Sequence, residues 1–337
     1  MRLKPSCCQC GIGAIVLMVI LLFFVILPNK KNKMKELYKK NGGLTLEKAN
    51  GIKLFKQREL KQILKKSNLI GKGYFGEVYR GLLDKKLVVI KKPINGSVLQ
   101  SEQFANEVII QTRVIHKNIV RLIGCCLDVD APMLVYEFIS QGSLHDILHN
   151  KNNNVVLNLD TRLNIAAQSA DGLAYMHSKA HTRILHGGVK PANILLDDNF
   201  VPKISDLGIS RLIARDKEHT GSVIRDMIYM DPVYLQQGVL TENSDVYSFG
   251  AVILELISRR VIHSDDNSTV KQFLEAHKKQ KKVTELLDEE IAITEDLVLL
   301  DRLAGMAVKC LSLDVDQRPT MMEIAEQLLL MSRSRNV

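Results

Sequence analysis

The most apolar stretch of the chain lies near its N-terminus. Residues 11–27 read GIGAIVLMVILLFFVIL, 17 residues without a polar side chain, and no charged residue occurs from Pro5 to Asn29. A helix needs about 17–25 apolar residues to cross the hydrocarbon core of a bilayer. The pattern therefore predicts a transmembrane helix over residues 11–28, preceded by a short N-terminus, residues 1–10, outside the cytosol.

A cleaved signal peptide is the alternative interpretation of this stretch. The apolar part of a signal peptide usually has about 7–15 residues and ends at a small-residue cleavage site. Here the run is longer, and Pro28 and Lys30 follow it. Six lysines lie between Lys30 and Lys40, whereas Arg2 and Lys4 precede the run. Because the more positive flank stays in the cytosol, we expect a single-pass membrane protein with a cytosolic body, at the plasma membrane.

Residues 29–63 are expected to form a basic juxtamembrane linker. The sequence NGG at 41–43 is typical of a break in regular structure. The stretch 55–66, FKQRELKQILKK, has Phe55, Leu60 and Ile63 near helical spacing, which predicts a short amphipathic helix.

The charge distribution changes how the basic composition is interpreted. The chain of 337 residues is 46% hydrophobic and 25% charged, which excludes wholesale disorder, and its net charge is +9. Residues 1–66 hold 15 Lys and Arg against 3 Asp and Glu, or +12, so the remaining residues carry −3. The charge thus belongs to the membrane-proximal segment, and we expect no nucleic-acid partner. The six Cys form no spaced ligand set with His, so a structural zinc site is not expected.

A glycine-rich stretch, IGKGYFGEVYRGLLDKKLVVIKKP, covers residues 70–93. A lone GxGxxG is a weak signal, and the dinucleotide fold would require a helix after it. Here β-forming residues follow, so the pattern predicts two strands whose glycine turn can fold over phosphates. Lys91 ends the apolar strand VVIK, and a lysine there requires a partner, for which Glu107 is a candidate.

A second cluster of motifs identifies the family. HGGVKPANILL at 186–196 is followed by KISDLGISR at 203–211, YMDPVY at 229–234, SDVYSFG at 244–250 and QRP at 317–319. In this order and spacing they resemble the eukaryotic protein kinases. The stretches NIVRLIGCC and MLVYEFISQGSL narrow the resemblance to plant receptor-like kinases of the wall-associated group, whose large extracellular part we expect to be absent here.

The resemblance implies an α+β, bilobal kinase fold behind the transmembrane helix. The kinase domain is expected at 64–334, with an N-lobe at 64–136, a hinge at 137–142 and a C-lobe at 143–334.

It also implies ATP and Mg²⁺ as cofactors, and a role for each matched residue. Gly71, Gly73 and Gly76, flanked by Ile70 and Val78, would cover the nucleotide, and Lys91, oriented by Glu107, would hold its α- and β-phosphates. Asn193 and Asp206 would ligate Mg²⁺, and Lys190, typical of the Ser/Thr class, would contact the γ-phosphate. Tyr136 would be the gatekeeper, Glu137 to Ile139 the adenine-binding hinge, and Asp245 the anchor of the catalytic loop.

The chain departs from the family pattern at the catalytic base. The family has His-x-Asp where this chain has His186-Gly187-Gly188, so Gly188 stands where the base would be. Further replacements fall in the activation segment: Asp226 for Thr, Ile228 for Gly, and Val233 for the Glu expected to pair with Arg318. Because losing one partner of a buried ion pair is destabilising, we expect the surface that docks the peptide substrate to be disturbed as well.

The losses thus concentrate in the base and the substrate platform, whereas the nucleotide and metal positions are intact. We interpret the chain as a pseudokinase that binds Mg-ATP and serves as a scaffold or decoy for other receptor-like kinases or immune-signalling proteins. The alternatives are an active Ser/Thr kinase with compensating groups, and a degraded gene copy under no constraint.

Overall fold

The computed structural model of the chain separates into two compact units. Unit 1 comprises Met1–Ser101 and Ile123–Tyr136, and unit 2 comprises Glu102–Leu122 and Glu137–Val337. The structure describes residues 7–47, 52–73, 76–94, 104, 107–150, 155–179, 183–207, 211–212, 228–262, 269–279, 283–292 and 294–335.

Unit 1 is built on a six-stranded sheet, with strand order β1-β5-β6-β4-β3-β2. Its strands are β1 (Lys53–Phe55), β2 (Leu69–Gly73), β3 (Gly76–Leu83), β4 (Lys86–Lys92), β5 (Leu122–Cys126) and β6 (Met133–Glu137). Strands β2, β3 and β4 pair antiparallel, whereas β1 pairs parallel to β5. Asp84 and Lys85, which join β3 to β4, both have positive φ, at 50° and 64°. A two-residue turn of this kind matches the right-handed twist of the two strands it connects.

The stretch expected as a linker and amphipathic helix is instead part of unit 1. Phe55, Leu60 and Ile63 are buried, and they pack in one cluster with Tyr79, Val88 and Ile90 of the sheet. Phe55 belongs to β1, and the α-helical part of this stretch is limited to α3 (Gln57–Leu60). The helical spacing of the apolar residues was therefore a correct sign of burial but overestimated the length of the helix.

The N-terminal segment forms one long helix, α1 (Cys7–Lys40), and a short helix, α2 (Gly43–Leu46), follows it. The helix predicted over residues 11–28 therefore lies within α1. Within the part of the chain that the structure describes, no helix has the combination of length and apolar character that a membrane crossing requires.

Hydrogen bonds attach the end of α1 to the loop between β5 and β6. The amide Nδ2 of Asn41 donates to the carbonyl oxygens of Leu127 and Val129, at 2.8 Å and 2.9 Å. Lys33 forms an exposed ion pair with Asp130 in the same loop. The chain immediately after α1 is thus held to the β5–β6 loop by side-chain hydrogen bonds.

Unit 2 is mainly helical. Its helices are α4 (107–111), α5 (Leu144–His149), α6 (Leu159–Ala174), α7 (Pro232–Gln237), α8 (Glu242–Ser258), α9 (Thr269–Lys278), α10 (Leu297–Cys310) and α11 (Met321–Arg333). Its short strands are β7 (Gly142–Ser143), β8 (Ile184–Leu185), β9 (Ile194–Leu196), β10 (Pro202–Ile204) and β11 (Arg211–Leu212).

Helix α8 lies at the centre of unit 2, where every residue from Ser244 to Ser258 is buried. A helix that is buried on all sides can be apolar all round, which explains the near-continuous run VYSFGAVILELI in the sequence. A sheet-based unit and a helical unit together confirm the predicted α+β, bilobal architecture.

Candidate functional site

The glycine-rich stretch folds as the predicted pair of strands. Gly73 and Gly76 face each other where β2 meets β3, and Gly71 is paired with Val78. Val78 is in turn paired with Lys91 of β4. Gly71, Val78 and Lys91 therefore form one row across three neighbouring strands, which places the glycine turn and the lysine at the same end of the sheet.

The two glycines that flank the turn, Gly73 and Gly76, differ in the space around their backbone. A Cβ atom added at Gly73 would have no heavy atom within 4 Å, so the space beside this backbone is open. Gly76 has φ of +150°, and a Cβ there would lie 2.3 Å from the carbonyl oxygen of Lys92. Glycine at position 76 is thus required by the close approach of β3 to β4, and glycine at position 73 leaves room for a ligand.

The remaining predicted nucleotide contacts of unit 1 differ in exposure. Ile70 is exposed, Val78 and Lys91 are half-buried, and Tyr136 is buried at the end of β6. Glu107, the expected partner of Lys91, is buried in α4 and belongs to unit 2. The pairing of Lys91 with Glu107 stays a prediction.

The expected hinge begins with a tethered carboxylate. Glu137 Oε1 accepts a hydrogen bond from the Arg121 backbone N–H at 2.9 Å and lies 3.0 Å from Lys203 Nζ. The Glu137 N–H donates to the Arg121 carbonyl at 3.1 Å. Ile139 is buried two residues later. The side chain and backbone of Glu137 thus attach the start of the hinge to residue 121.

Asp245 of α8 holds the loop that contains the base position. Its carboxylate is buried and accepts the backbone N–H groups of His186 and Gly187, each at 2.8 Å, while His177 Nε2 lies 2.8 Å from Oδ2. Burial by itself would raise the pKa of Asp245, but the hydrogen bond and charge of His177 outweigh it, and the pKa is lowered from its ordinary value. The predicted anchor is therefore at the expected place, as an ionised carboxylate.

Gly188 lies within a closed set of hydrogen bonds. Its N–H donates to His186 Nδ1 at 3.1 Å, and its carbonyl accepts Asn193 Nδ2 at 2.8 Å. The Asn193 carbonyl accepts the N–H of Ser205 at 2.8 Å, and the Ser205 carbonyl lies 3.1 Å from His186 Nε2. The loop thus keeps an ordered backbone although position 188 has no side chain.

Glycine has different consequences at the two adjacent positions. Gly187 has φ of +69°, a left-handed conformation that strains residues with a Cβ, whereas Gly188 does not have a positive φ. The backbone at position 188 would therefore accept an aspartate without this strain.

The oxygen donors expected at the metal lie beside this loop. Asn193 is buried, and because its Nδ2 is engaged by Gly188, its Oδ1 points to the other side of the amide. Asp206 follows Ser205 and is half-buried, with φ of +62°, a conformation that Asp tolerates better than most residues. Lys190 is half-buried at the start of the 3₁₀ turn Pro191–Asn193. A carboxylate and an amide oxygen fit the preference of Mg²⁺ for hard donors.

The activation segment corrects one prediction from the sequence. Arg318 is buried and was expected to lack a partner because Val233 replaces a glutamate. Instead, its Nη1 and Nη2 donate to Asp231 Oδ2 and Oδ1, at 2.7 Å and 2.8 Å. Further hydrogen bonds from Arg318 reach the carbonyls of Ser312 and Asn243.

Asp231 also begins α7, since its Oδ1 accepts the N–H of Val233 at 3.0 Å. Arg318 is therefore paired bidentately with Asp231, and the expectation that Val233 would leave this arginine without a partner was wrong. Ile228 is described and packs against the core of unit 2, whereas Asp226 lies outside the described residues.

Comparison with known proteins gives a consistent result. The family model for protein tyrosine and serine/threonine kinase matches residues 64–328. Wall-associated receptor kinase 4 of Arabidopsis thaliana is 36% identical over 334 residues, which cover 92% of this chain and 45% of that protein. Wall-associated receptor kinase 2 is 36% identical over 338 residues, covering 94% and 46%.

A shorter relative from the same plant, putative wall-associated receptor kinase-like 16, is 36% identical over 306 residues, covering 86% of this chain and 71% of that protein. The chain spans about half the length of the first two relatives.

Proposed function

Because the chain belongs to the protein tyrosine and serine/threonine kinase family, we propose that it binds Mg-ATP but transfers phosphate poorly, and that it acts as a signalling scaffold. The observation that carries this proposal is Gly188, at the position of the catalytic base, in a loop that is otherwise ordered.

Nucleotide binding would rest on the residues that match the family motifs. The backbone of Gly71, Gly73 and Gly76 would close over the phosphates, with Ile70 and Val78 against the base. Lys91 would neutralise the α- and β-phosphates, with Glu107 orienting it. Tyr136 would limit the depth of the pocket, and Glu137 to Ile139 would present backbone groups to the adenine.

Metal binding and transfer would rest on the loop residues of unit 2. Asn193 and Asp206 would hold Mg²⁺, which when bound supplies charge neutralisation at the phosphates. Lys190 would contact the transferred phosphate. General-base catalysis contributes about 10²–10⁴-fold to such reactions, and Gly188 has no group that can accept the hydroxyl proton of a substrate. Phosphoryl transfer depends mainly on positioning, so a slow residual rate is compatible with this site.

Nucleotide binding is tested by titrating the full chain with a fluorescent ATP analogue, with and without Mg²⁺. We expect saturable binding that Mg²⁺ strengthens, and a loss of about tenfold or more in Lys91→Met, because a charged hydrogen-bond donor is removed. Lys92→Met is the matched control, because it removes the same charge from the next residue of β4. The Nζ atom of Lys92 lies 3.7 Å from Glu77 Oε2. Absence of saturable binding in the unmodified chain would refute this part of the proposal.

The second candidate function is an active, ATP-dependent Ser/Thr protein kinase in cell-surface receptor signalling. The pairing of Arg318 with Asp231 favours it, because the end of the activation segment keeps its buried anchor. This candidate requires a group other than residue 188 to accept the proton.

The apolar surface of α1 would attach the chain to a membrane. Seven successive residues of α1, Ile15 to Leu21, are apolar and exposed, which supports a helix whose apolar surface contacts lipid. We expect the chain to stay in the membrane fraction after an alkaline wash and a variant lacking residues 11–28 to be released. Receptor-like kinases or immune-signalling proteins would be the partners of the chain. If the chain did not co-purify with an active receptor kinase, this result would contradict a scaffold role.

A further inference from the structure

Two histidines and a glutamate meet on the side of unit 2 formed by α5 and α8. His145 and His149 are four residues apart on α5, and their ring centroids are 5.0 Å apart. His149 Nε2 lies 2.5 Å from Oε2 of Glu255, a residue of α8. One nitrogen of each histidine and one carboxylate oxygen all lie within 4.8 Å of one another. None of these three residues belongs to the kinase motifs.

The carboxylate of this cluster is completely buried. Glu255 is 0% exposed, and among the described residues its carboxylate contacts are His149 at Oε2 and the Tyr229 hydroxyl, which donates to Oε1 at 2.5 Å. Arg259, at the end of the same helix, instead pairs with Glu290 at 2.6 Å. A buried carboxylate normally has a cationic partner or coordinates a metal. Within the described part of the chain no Lys or Arg supplies that partner, which leaves the neighbouring imidazoles and a bound cation.

We propose that His145, His149 and Glu255 form a binding site for Zn²⁺. Two imidazole nitrogens and one carboxylate oxygen are a common ligand set for this ion, with water in the fourth position. Imidazole ligands favour zinc over Mg²⁺ or Ca²⁺, which prefer oxygen donors. The ion would enter between His149 and Glu255 and would replace the hydrogen bond between Nε2 and the carboxylate, and the proton of that bond would pass to the solvent. His145 is half-buried, and water would occupy the fourth position.

The proposed site is connected to the activation segment. The Tyr229 hydroxyl orients the carboxylate through Oε1, which leaves Oε2 for the metal. Outer hydrogen-bond partners of this type usually change metal affinity by about 10–100-fold. Tyr229 is two residues before Asp231, the partner of Arg318. Zinc would therefore stabilise the end of the activation segment through Glu255 and Tyr229.

The test is a zinc titration of the full chain in detergent, without a polyhistidine tag and with Cys7→Ser, Cys8→Ser and Cys10→Ser, so that these thiols do not compete. Affinity is measured against a chromogenic chelator. We expect one equivalent of zinc to bind. His145→Ala removes a ligand, so it should weaken zinc binding by about 100-fold or more, which is the upper end of the effect of an outer partner. Tyr229→Phe should weaken binding about tenfold, because it removes the outer partner and keeps the ligands.

Three further measurements keep the result specific. His277→Ala removes an exposed histidine outside the cluster and should leave the zinc affinity unchanged. His145→Ala should keep the melting temperature of the metal-free chain and lose the increase that zinc produces. Cobalt bound to the same chain should show the spectrum of nitrogen and oxygen ligands without thiolate charge transfer. Absence of stoichiometric binding, or equal losses in His145→Ala and His277→Ala, would overturn the proposal.

Discussion

At the scale of single residues, Asp231 has two structural tasks. Its carboxylate holds both Nη atoms of Arg318 and also accepts the Val233 N–H at the start of α7. Both side chains of the ion pair are almost completely buried, at 0% and 2% exposure. Removing one member of such a pair leaves a buried charge uncompensated, which costs about 3–5 kcal/mol.

We therefore expect Asp231→Asn to lower the thermal stability of the chain strongly. A loss of about 3–5 kcal/mol corresponds to a decrease of at least about 6 °C in the melting temperature of a unit of this size. Asp316→Asn is the matched control, because it removes an exposed carboxylate near Arg318 and should change stability by less than about 0.5 kcal/mol. Equal melting temperatures of the two variants would contradict the assigned role of Asp231.

The sequence did not predict this pair because its members are 87 residues apart. The expectation about Val233 rested on the family pattern, which contains a glutamate two residues after Asp231. The sequence Asp231-Pro232 did indicate that Asp231 begins a helix, since Asp is often the residue before the first helical turn. The sequence could not show that the same carboxylate also contacts Arg318, because this contact depends on the tertiary structure.

At the scale of secondary-structure elements, α8 organises the loop around Gly188. One side chain of this helix, Asp245, accepts two backbone N–H groups of the loop and contacts His177. The helix and its motif were predicted from SDVYSFG, and so was the anchoring role. The cluster of His145, His149 and Glu255 was missed, although a spacing of four residues between two histidines on a helix was visible. The contact with α8 requires the tertiary structure.

The lowered pKa of Asp245 predicts how stability depends on pH. Because the folded state binds the proton less tightly than the unfolded state, the carboxylate contributes stability above the unfolded pKa of about 3.9. This contribution disappears as pH falls through the lower pKa of the folded state. The difference in unfolding free energy between the unmodified chain and Asp245→Asn should therefore be largest at neutral pH and shrink below pH of about 4.

Denaturant unfolding at a series of pH values measures this difference. Asp198→Asn, which alters an exposed carboxylate of the same unit, is the control and should give a small difference at every pH. A constant difference for Asp245→Asn between neutral and acidic pH would show that folding does not lower the pKa of Asp245.

At the scale of the whole molecule, the sequence predicted the architecture and the family. The α+β fold, the glycine turn between two strands and the order of the motifs of unit 2 all agree with the structure. The segment before residue 64 was predicted less well, because β1 is only three residues long and is defined by its pairing with β5. Short strands of this type carry no periodicity of their own, and their formation depends on the sheet beside them.

The proposed impairment of phosphate transfer rests on an ordered loop that has glycine at the position of the base. Gly188 keeps both of its backbone hydrogen bonds, and its backbone accepts a residue with a side chain without left-handed strain. Restoring the base should therefore restore transfer without rebuilding the loop.

The decisive measurement is the transfer of labelled phosphate from Mg-ATP to a general protein substrate by the full chain. We predict that the unmodified chain transfers no more phosphate than Lys91→Met, and that Gly188→Asp raises the rate by about 100-fold or more, since a positioned base contributes about 10²–10⁴-fold. Transfer by the unmodified chain far above that of Lys91→Met would contradict the proposed impairment, because another group would then act as the base.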